Sequence, residues 1–264
     1  MVLKNLGVES VALGFMAGFT GDNIRKMLEK KGVAADFITV DGLSRINVKL
    51  RSMGKEAVKE ETEINGQGPA ITESAIKALY EKLDELKADD ILVLAGSIPG
   101  TVPATIYMDI LQHLQGKDIK IVVDATKDLL KNVLAYQPFL VKPNHKELGE
   151  LFGVEVTTKE EVICYARQLQ EKGAKNVLVS MAGDGAVLVA EDGSVHQAEA
   201  PKGTVKNSVG AGDSMVAGFL VGYLEHGNYA EAFKLGISAG SASAFSEELA
   251  TGEEIRALRK AMEE

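Results

Sequence analysis

Along most of the chain, short unbroken apolar runs alternate with segments whose apolar residues recur every three or four positions. The runs at residues 10–15, 91–95, 119–124, 139–142, 176–181 and 186–190 are mostly continuous Val, Ile and Leu. Strands covered by helices on both faces carry that pattern, because neither face meets water. Between them, Ile76, Leu79, Tyr80, Leu83 and Leu86 form one helical stripe, and Val162, Ala166 and Leu169 another. Met215, Val216, Phe219, Leu220 and Tyr223 form a third. Thr158 with Glu161, Asn228 with Glu231 and Thr251 with Glu254 are spaced as capping pairs at helix starts. The alternation predicts an α/β fold: a doubly wound, mostly parallel sheet flanked by helices.

Residues 37–40, 46–51 and 57–64 alternate polar and apolar instead, with turns at Asp41-Gly42 and Met53-Gly54-Lys55. They predict a small antiparallel sheet, a β lid over about residues 36–66, inserted before the helix that follows Pro69. Such a flap serves as a lid or as the surface of a homodimer. No internal repeat or low-complexity linker divides the chain, so residues 1–264 are expected to form a single domain.

Composition narrows the function classes. Hydrophobic residues make up 45% and charged residues 25%, the profile of a soluble globular protein with a substantial core. No run approaches the ~18 apolar residues of a membrane span, and the first residues show no signal-peptide apolar region. The one cysteine, Cys164, makes no internal disulfide and fits a reducing, cytoplasmic setting. It sits in a helical pattern and reads as packing. A net charge of −9 argues against a general nucleic-acid surface. An anionic substrate would then depend on a few local cations.

The most informative stretch is Asn207-Ser208-Val209-Gly210-Ala211-Gly212-Asp213-Ser214, just before the third helical stripe. Small residues crowd a helix start and leave backbone N–H groups free to hold an anion, with Asp213 in the same turn. Phosphoryl transfer to an alcohol needs that combination: donors for the phosphates and a carboxylate for the alcohol proton. An ordinary glycine-rich turn, with Asp213 complementing the helix dipole, explains the same residues.

Further candidates lie at predicted strand ends, where open α/β sheets bind ligands. Lys142-Pro143-Asn144-His145-Lys146-Glu147 follows one strand. There Asn144 and Glu147 share a helix start, either positioning a hydrated Mg2+ beside nucleotide phosphates or forming a capping box. Ser180-Met181-Ala182-Gly183-Asp184-Gly185 joins two strands, and Gly183 and Gly185 admit either a phosphate or a plain hairpin. Ser97, in Ala95-Gly96-Ser97, is placed to hydrogen-bond a substrate. Arg45, Asn47 and Lys49 fall on one face of a lid strand, as a grip for a sugar phosphate or as a solvated face. His113, His145, His196 and His226 show no metal-ligand spacing and read as structural or surface residues. No G-x-x-x-x-G-K-[ST] occurs, which excludes a P-loop kinase, and Gly14, Gly18 and Gly21 have the wrong spacing for a dinucleotide fingerprint.

Taken together, these segments resemble the ribokinase-like PfkB family of carbohydrate kinases, nearest its 1-phosphofructokinase and tagatose-6-phosphate kinase branch. The resemblance rests on Val209-Gly210-Ala211-Gly212-Asp213-Ser214 combined with Lys142-Pro143-Asn144, and on the late Ser238-Ala239-Gly240-Ser241-Ala242-Ser243-Ala244. It implies an ATP- and Mg2+-dependent kinase acting on a sugar phosphate, foremost fructose 1-phosphate, with no nucleic-acid or membrane partner. It implies Asp213 as the base and Gly210, Ala211 and Gly212 as the anion hole. Asn144 and Glu147 would organise Mg2+, and Ser180 to Gly185 would lie along the nucleotide phosphates. Gly240 and Ser243 would border the adenine. Arg45 would hold the phosphate already on the sugar, seconded by Asn47, Lys49 and Ser97.

The family's opening strand with its Asn-Pro…Asp motif, and the Gly-Gly-Lys-Gly…Asn motif after it, are not in this sequence. A chain without them is expected to expose a sheet edge, to orient the sugar poorly and to keep MgATP binding; a nucleotide-binding remnant is the alternative reading.

Overall fold

The computed structural model describes residues 1–51, 61–96 and 98–262. The chain begins with α1 (Val2–Asn5), β1 (Val11–Met16), α2 (Gly18–Lys30) and β2 (Ala34–Thr39). Next come β3 (Asn47–Arg51), β4 (Glu61–Asn65), α3 (Glu73–Asp84) and β5 (Ile91–Ala95). The middle of the chain forms α4 (Ile106–His113), β6 (Lys120–Asp124), α5 (Lys127–Val133), β7 (Leu140–Val141) and α6 (His145–Phe152). It continues through α7 (Lys159–Glu171), β8 (Asn176–Ser180), β9 (Ala186–Val189) and β10 (Val195–Ala198). Three helices close it: α8 (Ala211–His226), α9 (Tyr229–Phe245) and α10 (Gly252–Ala261). These elements form two compact units: Met1–Glu9, Leu86–Ser97 and Thr105–Glu264 in one, Ser10–Glu85 and Ile98–Ala104 in the other.

The larger unit carries a six-stranded sheet in the order β10-β9-β8-β7-β6-β5. β5 through β8 run parallel, while β9 and β10 are antiparallel to their neighbours. Val122, Leu140, Leu178 and Leu188 of the sheet pack with Val216, Phe219, Leu220, Phe233 and Ile237 of α8 and α9. The runs that form β7, β8 and β9 are buried, with Val177, Leu178 and Val179 fully enclosed, whereas the runs expected to be covered at 10–15 and 91–95 form β1 and β5 with one side open: Val11 is 60% and Val93 37% exposed. The stripe Val162, Ala166 and Leu169 is the buried face of α7, whereas Cys164, expected as packing, is exposed. β10 was absent from the predicted strands because it is a half-exposed edge, Val-His-Gln-Ala, without an apolar run.

Helices α8 and α9 lie in close contact. A Cβ on Gly218 would stand 2.5 Å from the Leu235 carbonyl oxygen, so the two backbones touch there. A Cβ on Gly240 would stand 3.0 Å from the Ala211 carbonyl oxygen, which ties the far part of α9 to the start of α8.

In the smaller unit β1 and β2 pair in parallel, Val11 opposite Ala34 and Met16 opposite Thr39, joined by α2. β3 and β4 form an antiparallel pair, Asn47 opposite Asn65 and Arg51 opposite Glu61. Residues 37–39, expected in the antiparallel lid, thus belong to a parallel strand, because the α2 crossover returns the chain beside β1 in the same direction. The expected turn at 53–55 and residues 57–60 lie outside the described residues.

Candidate active site

Three parallel strands end side by side. β6 closes on Asp124, β7 is followed by Lys142, Pro143 and Asn144, and β8 closes on Ser180. Asn144 and Ser180 make an isolated parallel bridge, with the Ser180 N–H donating to the Pro143 carbonyl at 3.3 Å. The carboxyl ends of parallel strands are where such sheets bind ligands.

From Asn144 the chain enters α6 through a full capping box. The Glu147 N–H donates to Asn144 Oδ1 at 2.9 Å, and the Asn144 N–H donates to Glu147 Oε2 at 2.8 Å. Beyond β8 the chain makes a short 3-10 turn, Ala182–Asp184, and Gly185 adopts φ +89. A Cβ on Gly185 would meet the Ala198 carbonyl oxygen at 2.0 Å, so this turn admits only glycine. Gly183 is exposed.

At the start of α8, Gly210 is the N-cap with φ +79 and offers no side chain to the first turn. The Ala211 N–H reaches the Ser208 carbonyl at 3.3 Å, and Ser214 donates through both N–H and hydroxyl to the Gly210 carbonyl. The N–H groups of Gly212 and Asp213 lie in the first turn, where a helix provides no acceptor of its own. They are free to hold an anion, favoured further by the helix dipole. The Asp213 side chain is exposed in this turn.

A cavity of about 800 Å³ opens in front of these segments. Asn144, Ser180, Gly183, Gly185, Gly212 and Gly240 all line it, and Ala211 joins them. Ser243 does not: it is buried, and its hydroxyl accepts from the Ala250 N–H at 3.2 Å. Phe245 and Gly203 form a wall that sequence pattern did not disclose; a Cβ on Gly203 would overlap the Phe245 ring at 2.3 Å. His145, expected to be structural or on the surface, also lines the cavity, and its buried Nδ1 has no hydrogen-bond partner among the described residues.

Beneath the start of α8 lies an ion pair between the buried Lys142 and the half-buried Asp124, Nζ to Oδ1 at 3.3 Å. Burial pushes the Asp124 carboxyl above the ordinary carboxylate range; Lys142 pulls it down, and the charges of Asp213 and Glu147 add to the rise. Tyr107, whose hydroxyl donates to the Ala95 carbonyl at 2.9 Å, is pushed up to about 12 by burial and by Asp124. Among the described residues, no group of three or more His, Cys, Asp and Glu is placed to hold a metal ion. Glu147 and Asn144, side by side at the start of α6, are oxygen donors of the kind that a hydrated Mg2+ takes.

Of the residues expected to hold the sugar phosphate, Arg45 lies just before β3, and Asn47 and Lys49 lie within it. All three belong to the smaller unit, with Lys49 in register with Glu63. Ser97 lies outside the described residues. No helix among the described residues is long and apolar enough to cross a membrane.

The chain matches the pfkB family carbohydrate kinase pattern over residues 1–256. It is 46% identical over 257 residues to the 1-phosphofructokinase of Bacillus subtilis, covering 97% of this chain and 82% of that protein. To the D-tagatose-1-phosphate kinase of Bacillus licheniformis it is 35% identical over 250 residues, covering 94% and 80%. Among solved structures, phosphofructokinase-2 from Escherichia coli in complex with substrates and products matches with a TM-score of 0.92 at 27% identity, covering 100% of this chain and 85% of that one.

Proposed function

The chain belongs to the pfkB family of carbohydrate kinases, and from that membership we propose that it transfers the γ-phosphoryl group of ATP to the free primary hydroxyl of fructose 1-phosphate, giving fructose 1,6-bisphosphate. The observation that carries this reading is the start of α8: an uncapped helix end beside an exposed carboxylate, at the edge of a cavity of nucleotide size. The likeness to a protein named 1-phosphofructokinase supports the substrate.

Asp213 takes the proton of the attacking hydroxyl as the oxygen bonds to the γ-phosphorus and ADP leaves. The N–H groups around Gly210, Ala211 and Gly212 hold the charge on the transferring group. The cavity beside Ser180, Gly183 and Gly185 takes the nucleotide phosphates, and Gly240 borders the base. Asn144 fixes the helix start, and Glu147 would hold, through water, a Mg2+ accompanying ATP, whose charge would offset that of the phosphates. Arg45 holds the phosphate already on the sugar, with Asn47 and Lys49 in support, because a guanidinium grips phosphate through two parallel bonds.

The lid hairpin is the proposed surface of a homodimer. Its residues Ile46, Val48, Leu50 and Ile64 are 63%, 41%, 53% and 57% exposed, and Val48 and Ile64 sit directly opposite each other. Covering such a row removes apolar area from water.

The test is ATP consumption by the purified chain, offered fructose 1-phosphate, tagatose 1-phosphate, tagatose 6-phosphate and fructose 6-phosphate in turn. Fructose 1-phosphate should give the highest kcat/KM. Preference for tagatose 1-phosphate would transfer the assignment to the activity named in the Bacillus licheniformis relative, and preference for tagatose 6-phosphate would make the chain a tagatose-6-phosphate kinase. MgATP binding with no consumption on any sugar phosphate would make the chain a nucleotide-binding remnant.

A further inference from the structure

The proposed chemistry leaves the pair of Lys142 and Asp124 without a task, yet the pair stands directly under the site. Lys142 is 6% exposed. An ideal Cβ on Gly212 would lie 3.1 Å from Lys142 Nζ and 3.4 Å from its Cε. The ammonium therefore rests against the first turn of α8, at the residue next to Asp213, and the missing side chain of Gly212 is what lets it approach. Its compensating charge comes from Asp124 at the end of the neighbouring strand β6, 3.3 Å away.

An ammonium this deeply buried is costly unless paired. It also rides on a flexible four-carbon stem with three rotatable donors, so its position must be imposed from outside. Asp124 meets both needs. Its own side chain is 19% exposed, and it feels the carboxylates of Asp213 and Glu147 as well as Lys142. The pair thus places one positive charge against the anion-holding turn, with its balancing carboxylate 3.3 Å from the ammonium.

We infer that Asp124 is a positioning residue for phosphoryl transfer: it holds the Lys142 ammonium against Gly212, where the cation adds to the charge stabilisation offered by the start of α8. Asp124 acts through Lys142 and touches neither substrate. The inference rests on the reading of the α8 start as the phosphoryl-transfer site.

The experiment compares the full chain with Asp124→Asn, Lys142→Met and the double variant, measuring kcat, both KM values and the melting temperature. Each single change should lower kcat about 10²-fold, the effect of removing one donor to a developing oxyanion, with KM for the sugar phosphate unchanged. The double variant should lose no more than the worse single, because both changes take the same cation away from Gly212. It should also melt higher than either single, since no unpaired buried charge remains. Recovery of kcat along with stability in the double variant would reduce the pair to a structural tie and overturn the inference. Losses that multiply in the double variant would show Asp124 acting independently of Lys142, which overturns it too.

A binding comparison needs no turnover. Weaker MgATP binding in all three variants, with AMP affinity kept, supports the assignment even if no sugar phosphate is accepted. Equal MgATP affinity in all four chains, together with equal kcat wherever a sugar phosphate is accepted, refutes it.

Discussion

Asn144 and Glu147 satisfy each other's backbones: each side chain accepts the other's N–H, at 2.9 and 2.8 Å. The two residues therefore fix the start of α6 whether or not a metal is present. Glu147→Gln separates the two roles, because glutamine also closes a capping box but carries no charge. Stability should change by less than about 0.5 kcal/mol, while the Mg2+ concentration giving half-maximal activity should rise about 10-fold or more. An unchanged Mg2+ requirement would leave Glu147 with the cap alone.

Asp213 stands exposed in the first turn of α8, next to the glycine that rests on Lys142. Asp213→Asn keeps the shape and cannot take the alcohol proton. A fall in kcat of ~10²–10⁴ is expected, with little change in MgATP affinity. Steady-state kinetics beside equilibrium titration of the nucleotide checks this, and near-normal turnover would remove Asp213 from the mechanism.

Arg45→Ala should raise KM for the sugar phosphate and leave KM for ATP almost unchanged. Losing a charge-assisted bond costs roughly 1.5–3 kcal/mol, or about 10–150-fold in affinity. Initial rates with each substrate varied in turn measure it. An equal loss toward ATP would place Arg45 elsewhere.

Gly218→Ala tests the helix contact that holds the site together. The added Cβ would stand 2.5 Å from the Leu235 carbonyl oxygen and 2.6 Å from the Ala239 Cβ, so α8 and α9 must part. Overpacking of this kind costs about 1–3 kcal/mol. The urea midpoint should fall accordingly, and MgATP affinity should fall with it, because Gly240 and Gly212 line the same cavity from the two helices. An unchanged midpoint would mean that the helices have room to spare.

Much of the candidate site was legible because its residues are marked locally. Gly210 needs a positive φ, Gly185 needs the absence of a Cβ, and Asn144 with Glu147 carries its capping spacing in four residues. Ser243 shows the limit of such reading: small and in the right helix, it is buried and spends its hydroxyl on Ala250, while Phe245 forms the wall instead. His145 was read from its lack of metal-ligand spacing, which says nothing about whether a side chain faces a cavity.

The sequence by itself determined which segments are strands and helices, because burial imposes a period on side chains that any isolated stretch displays. Unbroken Val, Ile and Leu runs became the enclosed strands β8 and β9, and capping pairs marked where α7, α9 and α10 begin. Only the tertiary structure decided partners. β2 alternates like a lid strand, yet it pairs in parallel with β1. Asp124 ends one strand and Lys142 follows another, and nothing near either residue announces that the strands are neighbours or that Gly212 lies against Lys142. Periodicity is written in consecutive residues, whereas pairing is settled by which distant segments share an edge, and that is set by the packing of the whole unit.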